Sequence, residues 1–117
     1  MVTIRIKNLR LRTYIGFNDD EMRKRQDVVV NVRFSYKADE AAETDDVKYA
    51  VNYRTITKEI IAFVEDGRFM LLERLAADVL DLVMKHAPIA TAEVEVDKPN
   101  ALRFSDSVSA FLRAERS

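Results

Sequence analysis

The chain has no cysteine and no tryptophan, a single histidine, and only two glycines and two prolines among 117 residues. Each shortage removes a class of protein. Without cysteine there is no disulfide framework, no Cys-ligated zinc and no thiol nucleophile, a composition that agrees with a cytoplasmic protein. With His86 alone, a Ser-His nucleophile and a multi-histidine metal site within one chain also fall away. Two glycines leave no room for a Gly-rich nucleotide loop. No apolar run approaches the ~18 residues of a bilayer span, and charge enters at Arg5, so neither membrane insertion nor export is expected.

Hydrophobic residues make up 48% and charged residues 33%, the balance of one globular domain rather than a disordered chain. Nineteen Lys and Arg against 20 Asp and Glu give a net charge of −1. No general basic field would draw such a protein to nucleic acid, although a small anionic ligand is compatible with it. Chemistry is left to carboxylates, lysines, arginines, tyrosines and hydroxyls.

Val2, Ile4 and Ile6 alternate with polar residues, the period of a half-buried strand. Apolar positions then resume at Leu9 and Leu11, so one face stays buried only if the strand bulges near Asn8. Asn18 to Gln26 shows neither period and reads as a loop. Val28 to Tyr36 gives the cleanest alternation and a second strand. The acidic, small-residue stretch Ala38 to Asp46 suits an exposed connection. A helix is expected after Asn52 as N-cap, burying Ile56, Ile60, Phe63 and Val64 and stopping at Glu65-Asp66-Gly67. A second helix carries Leu72, Leu75, Ala76, Val79, Leu82 and Val83 and ends near His86 and Pro88. Alternations at Ala92 to Val96 and Val108 to Leu112 complete the set. The order ββααββ predicts an α+β fold, a four-stranded antiparallel sheet with both helices on one face. Val29 and Phe111 fall on the uncovered face, so other subunits are expected to complete the sheet.

A few polar residues stand where chemistry could use them. Glu73 lies in the first turn of the second helix, where the helix dipole favours a carboxylate and where a ligand's amidine-like edge could be bound. Lys98 ends the third strand against the turn Pro99-Asn100, and would act as an acid or base if its surroundings allow. Tyr53 follows the cap Asn52, Glu21 belongs to an acidic triplet, and Arg103 lies in the last loop. Each also has an ordinary explanation as packing or solvated surface. His86 is assigned only a favourable place at a helix C-terminus.

In order and spacing, Tyr14-Ile15-Gly16 with Glu21 and Gln26, Val51-Asn52-Tyr53, Leu71-Leu72-Glu73-Arg74-Leu75-Ala76 and Lys98-Pro99 resemble the dihydroneopterin aldolase family over nearly the whole chain. Ile4 to Thr13, Asn52-Tyr53-Arg54-Thr55 and Ala101-Leu102-Arg103 through Ser109 are more similar to its dihydroneopterin triphosphate 2'-epimerase branch. Asn100 and Ser107-Val108 depart from the aldolase pattern.

The resemblance implies the tunnelling fold and an octamer of two stacked four-subunit rings, with active sites between subunits. It implies a pterin substrate and neither metal nor cofactor. Glu73, with backbone groups near Leu72, would hold the pterin edge. Tyr53 would come from the neighbouring subunit, and Lys98 with Glu21 would flank the reacting side chain. The reaction would be retro-aldol cleavage, ending in epimerisation or in release of the aldehyde. For a triphosphate tail Arg103 is the first candidate, with Arg54, Arg10 and Arg12 behind it.

Overall fold

The structure, a computed structural model, describes all residues 1–117. Strand β1 spans Val2–Ile15, helix α1 Asp19–Arg23, β2 Gln26–Tyr36 and α2 Asp39–Thr44. Then come a 3-10 turn at Val47–Tyr49, helix α3 at Tyr53–Glu65, β3 at Arg68–Phe69, α4 at Leu72–Met84, β4 at Ile89–Pro99 and β5 at Ser107–Glu115. The four long strands pair antiparallel as the periodicities predict. The sheet is nevertheless five-stranded and mixed, in the order β3-β1-β2-β4-β5, because Arg68–Phe69 adds parallel to Tyr14–Ile15. Two residues are too few to show a period, so the expected four-stranded antiparallel sheet omits this strand.

Alternation decides what packs where. Val28, Val30, Val32 and Phe34 of β2 and Ala92, Val94 and Val96 of β4 are almost fully buried against the helices. Helix α3 contributes Ile56, Ile60 and Val64, and α4 contributes Leu75, Ala76, Val79, Leu80 and Val83. At roughly 1.5–3 kcal/mol for each fully buried aliphatic side chain, these residues dominate the docking of both helices. Phe63, expected on the buried stripe, is 37% exposed and leans on Phe69 with ring centroids 5.6 Å apart. The opposite face of the sheet stays open, with Phe111 55% exposed.

The parity switch in β1 is a bulge. Ile6 pairs with Val32 and Leu9 with Val30, so Lys7 and Asn8 together face Asn31. Asn8 takes φ 52°, and its amide donates to Asn31 Oδ1 at 2.9 Å. Asparagine tolerates this left-handed conformation better than most residues. Two connections contain short helices: α2 lies in the Ala38 to Asp46 stretch, exposed apart from the core residue Ala38 and the half-buried Ala41, and α1 replaces the loop expected between Asn18 and Gln26.

One end of the sheet gathers the residues of interest. The C-terminal ends of β1 and β4 and the N-terminal ends of β2 and β5 lie there, since Leu11 pairs with Val28, Val29 with Asp97 and Lys98 with Val108. The β1–β3 pairing brings the start of α4 to the same end, fastened by the Gly16 amide donating to the Phe69 carbonyl at 2.9 Å.

Candidate active site

Lys98 continues the parity of Val94 and Val96, so it leaves the sheet on the helix-covered face, at the point where the core ends. Pro99 and the positive φ of Asn100 turn the chain immediately afterwards. The Lys98 side chain is 15% exposed and its ammonium donates to Glu21 Oε2, a carboxylate whose side chain is 19% exposed. These are 77 positions apart in sequence, and the pair is the best-shielded ion pair in the chain.

Glu21 is held by local chemistry. Asn18 caps α1, its Oδ1 accepting from the Glu21 amide at 2.8 Å, while Glu21 Oε1 accepts from the Asn18 amide at 3.5 Å. This reciprocal capping box points one carboxylate oxygen back at the helix start and leaves the other for Lys98. Gly16, with φ 121°, supplies the room, because a Cβ there would overlap the Glu21 carboxylate. The hydrogen bond from Lys98 holds the Glu21 carboxyl below the usual carboxylate range, helped by the amides of Asn18 and Phe17 and opposed by burial. The result is a charged proton donor and its acceptor, fixed at the rim of the core.

Glu73 is the second residue of α4, exposed and without a side-chain partner among the hydrogen bonds and ion pairs. Leu71, the N-cap, offers no side-chain bond, so amides near the half-buried Leu72 remain free donors. A carboxylate acceptor beside free N–H donors complements a heterocyclic edge that carries both amino and carbonyl groups. Arg103 is exposed in the loop between β4 and β5, its guanidinium 5.4 Å from the Phe104 ring centroid. Of the expected site residues, the fold brings only Lys98 and Glu21 into contact. Glu73 and Arg103 occupy the same end of the sheet, with no hydrogen bond or ion pair to that couple.

Tyr53 lies elsewhere. The C-terminal end of α3 is at the site end, where the Arg12 amide reaches Glu65 Oε2 at 3.5 Å and Thr13 Oγ1 donates to the Gly67 carbonyl at 3.2 Å. Helix α3 is 13 residues long, so Tyr53 begins it about 18 Å away. It is 53% exposed there, available to a neighbour and too distant for its own chain's Lys98.

Sequence reasoning did not mark three residues that the structure places beside these groups. Asn18 orients Glu21, and the spacing Asn18-x-x-Glu21 carries the capping-box signal. Arg25 and Arg68 both approach the Tyr14 ring, at 5.7 and 3.9 Å from its centroid. Nothing in the sequence marks that cluster, in which the β1–β2 pairing sets Arg25 beside Tyr14 and the β1–β3 pairing sets Arg68 there.

A sequence profile of the family described as FolB, dihydroneopterin aldolase, matches residues 4–113. The chain belongs to the dihydroneopterin aldolase family. Among members of this family, the chain is 53% identical to a dihydroneopterin triphosphate 2'-epimerase of Pseudomonas aeruginosa, over 99% of this chain and 94% of the relative. It is 54% identical to the enzyme of the same name from Escherichia coli, over 97% and 94%. The crystal structure of E. coli dihydroneopterin aldolase in complex with neopterin superposes with a TM-score of 0.92 at 27% identity, covering 97% of this chain and 99% of that one. The aldolase-family fold thus carries this chain's Glu21–Lys98 pair, while the sequence is nearer to relatives bearing the epimerase name.

Proposed function

We propose that the protein is a dihydroneopterin triphosphate 2'-epimerase, inverting C2' of 7,8-dihydroneopterin triphosphate to give 7,8-dihydromonapterin triphosphate. The observation that carries this reading is the contrast just described, 53–54% identity to proteins named epimerases against 27% to an aldolase of the same fold. The Glu21–Lys98 couple supports the chemistry. Lys98, as the amine left when its proton passes to water, takes the 2'-hydroxyl proton, while the Glu21 carboxylate stays charged and holds the nitrogen in place. The C1'–C2' electron pair then flows into the substrate's own N5=C6 imine, giving an enamine-like pterin and a bound phosphorylated glycolaldehyde. The aldehyde turns over its carbonyl face and the bond re-forms, and the proton returns to O2' from Lys98. Epimerisation therefore needs no net proton. Release of the aldehyde after protonation of C1' is aldolase activity, the second reading, and it uses the same groups.

Glu73 and the free amides near Leu72 hold the pterin edge. The exposed Tyr53 enters the site of a neighbouring subunit, which requires an oligomer, in the family form an octamer of two stacked rings with the tunnelling fold. Its open sheet face and exposed Phe111 and Tyr53 suit such an assembly in the cytoplasm. No helix is long and apolar enough to cross a membrane. Incubation with dihydroneopterin triphosphate, followed by chromatography, tests the function. The 2'-epimer should dominate, and phosphorylated glycolaldehyde as the main product would assign the chain to aldolase chemistry instead.

A further inference from the structure

An overall charge of −1 gives no general attraction for a triphosphate, so cations must be concentrated where its tail lies. Arg10, Arg23 and Arg103, though free of ion pairs, stand neither on the Tyr14 ring nor in the hollow beside Gly16, and two other arginines near this end are already engaged. Arg12 pairs with Asp27 at 3.3 Å, and Arg74 with Asp78 at 2.9 Å. Arg25 and Arg68 are different. Neither forms an ion pair, with Asp19 or Asp20 of nearby α1 or with any other carboxylate. Both guanidiniums are instead gathered on the one Tyr14 ring. Two like charges on a shared aromatic ring gain cation–π attraction and leave their N–H donors unneutralised.

The position of Arg68 joins two hollows. A cavity of about 190 Å³ is lined by Tyr14, Gly16, Met22, Arg68, Phe69 and Met70. It adjoins the Glu21–Lys98 couple, because Gly16 lies against the Glu21 carboxylate. A larger, shallower hollow of about 490 Å³ shares Arg68, Phe69 and Met70 and extends to Leu71, one residue before Leu72 and Glu73. Arg68 therefore stands between the start of α4 and the reacting pair. Its Nη1 also donates to the Met22 carbonyl at 3.3 Å, which fixes its direction and leaves its remaining donors free. Arg25 has no side-chain hydrogen bond, so it is a charge held in place by the ring and by its position before β2.

We propose that Arg25 and Arg68, assembled on Tyr14, form the subsite that grips the polyphosphate tail of the substrate. This rests on the triphosphate reading above and deepens it. The subsite would hold the cleaved aldehyde by its phosphates while the pterin stays on Glu73, and so would favour re-addition over escape. Arg68 is a specificity residue with a structural bond as well, whereas Arg25 has none, which makes Arg25 the cleaner probe.

The test compares wild type, Arg25→Gln, Arg68→Lys and the double variant Arg25→Gln/Arg68→Gln on dihydroneopterin triphosphate and on unphosphorylated dihydroneopterin. Losing one charge-assisted phosphate contact should lower kcat/KM for the triphosphate by about 10- to 100-fold in Arg25→Gln, with a smaller loss at high salt. The unphosphorylated substrate should change less than about threefold, and Arg68→Lys should retain more triphosphate activity than the double variant. Released aldehyde should rise relative to epimer as the charges are removed. Equal losses on both substrates in Arg25→Gln would overturn the proposal. Inorganic triphosphate binding, followed by calorimetry on wild type and Arg25→Gln, provides the second arm. It should weaken about 10-fold or more in the variant, and equal binding by both would overturn the subsite. Should wild type turn over neither substrate, the functional reading fails while this arm still decides the subsite.

Discussion

Gly16 is the residue on which the Glu21–Lys98 pair depends without contributing a side chain of its own. Replacing it with alanine asks a residue with a Cβ to hold φ 121°, a region almost reserved to glycine, at a cost of about 1–3 kcal/mol. The new methyl would overlap Cδ and both oxygens of Glu21, so the carboxylate must retreat by about 1.3 Å to reach ordinary contact near 3.5 Å. Stiffening of the unfolded chain by alanine returns only about 0.4–1 kcal/mol, so the net effect is destabilising. The retreat pulls Glu21 off Lys98, and a misplacement of that size lowers turnover by about 10². Urea unfolding at fixed protein concentration should show the lower midpoint, and the epimer assay the lost turnover. Repeating Gly16→Ala in a Glu21→Ala background separates the two causes, since the clash vanishes there and only the backbone strain persists. A Gly16→Ala protein with a normal midpoint and normal turnover would refute both the conformational and the packing argument.

Lys98→Ala should keep pterin affinity within a few-fold while lowering turnover by about 10²–10⁴, as for a positioned acid–base group; near-normal turnover would move the base elsewhere. Glu73→Gln should weaken pterin binding by about 2–4 kcal/mol in equilibrium titration, and unchanged affinity would remove it from the recognition edge. Mixed assemblies of inactive Tyr53→Ala and Lys98→Ala chains should regain activity if sites are built from two subunits, and persistent inactivity would oppose that arrangement. The Glu21 carboxyl has its folded pKa below the unfolded value of about 4.3, so its stabilising contribution is complete above that value and disappears as pH falls through the lowered folded pKa. Glu21→Gln should therefore flatten this acid limb of the urea midpoint against pH, and a limb of unchanged steepness would show the pair contributes no linkage.

The long strands and the two main helices were legible because burial imposes a period, and both periods are plain in Val28–Tyr36 and in Leu72–Val83. Even the bulge could be read, since Ile6 and Leu9 cannot share a face in a regular strand. What escaped was set by tertiary contact. Arg68–Phe69 becomes a strand only because β1 offers it an edge, and α1 hides in a polar stretch whose only signal is Asn18 three residues before Glu21. Thr13 breaks the apolar pattern of Leu11 and Ile15 yet is fully buried, its hydroxyl satisfied by the Gly67 carbonyl. Within the candidate site, residue types and resemblance singled out Glu21 and Lys98 separately. Their contact depends on the end of β4 reaching α1, and Arg68 joins the Tyr14 cluster only through β3. Neither closure is written in local spacing.

The bulge at Lys7-Asn8 makes the shape of the sheet separable from its composition. Removing Asn8 would leave one residue opposite Asn31, and every apolar side chain of β1 would then fall on its present face in a single unbroken alternation. Such a chain could bury the same core and satisfy the same ladder, yet it would lack the extra local twist that a bulge provides. In the proposed ring, where neighbouring subunits would meet edge to edge, curvature would determine how many copies close a circle. One asparagine would then act as a geometric parameter of that assembly, adjustable without touching the core.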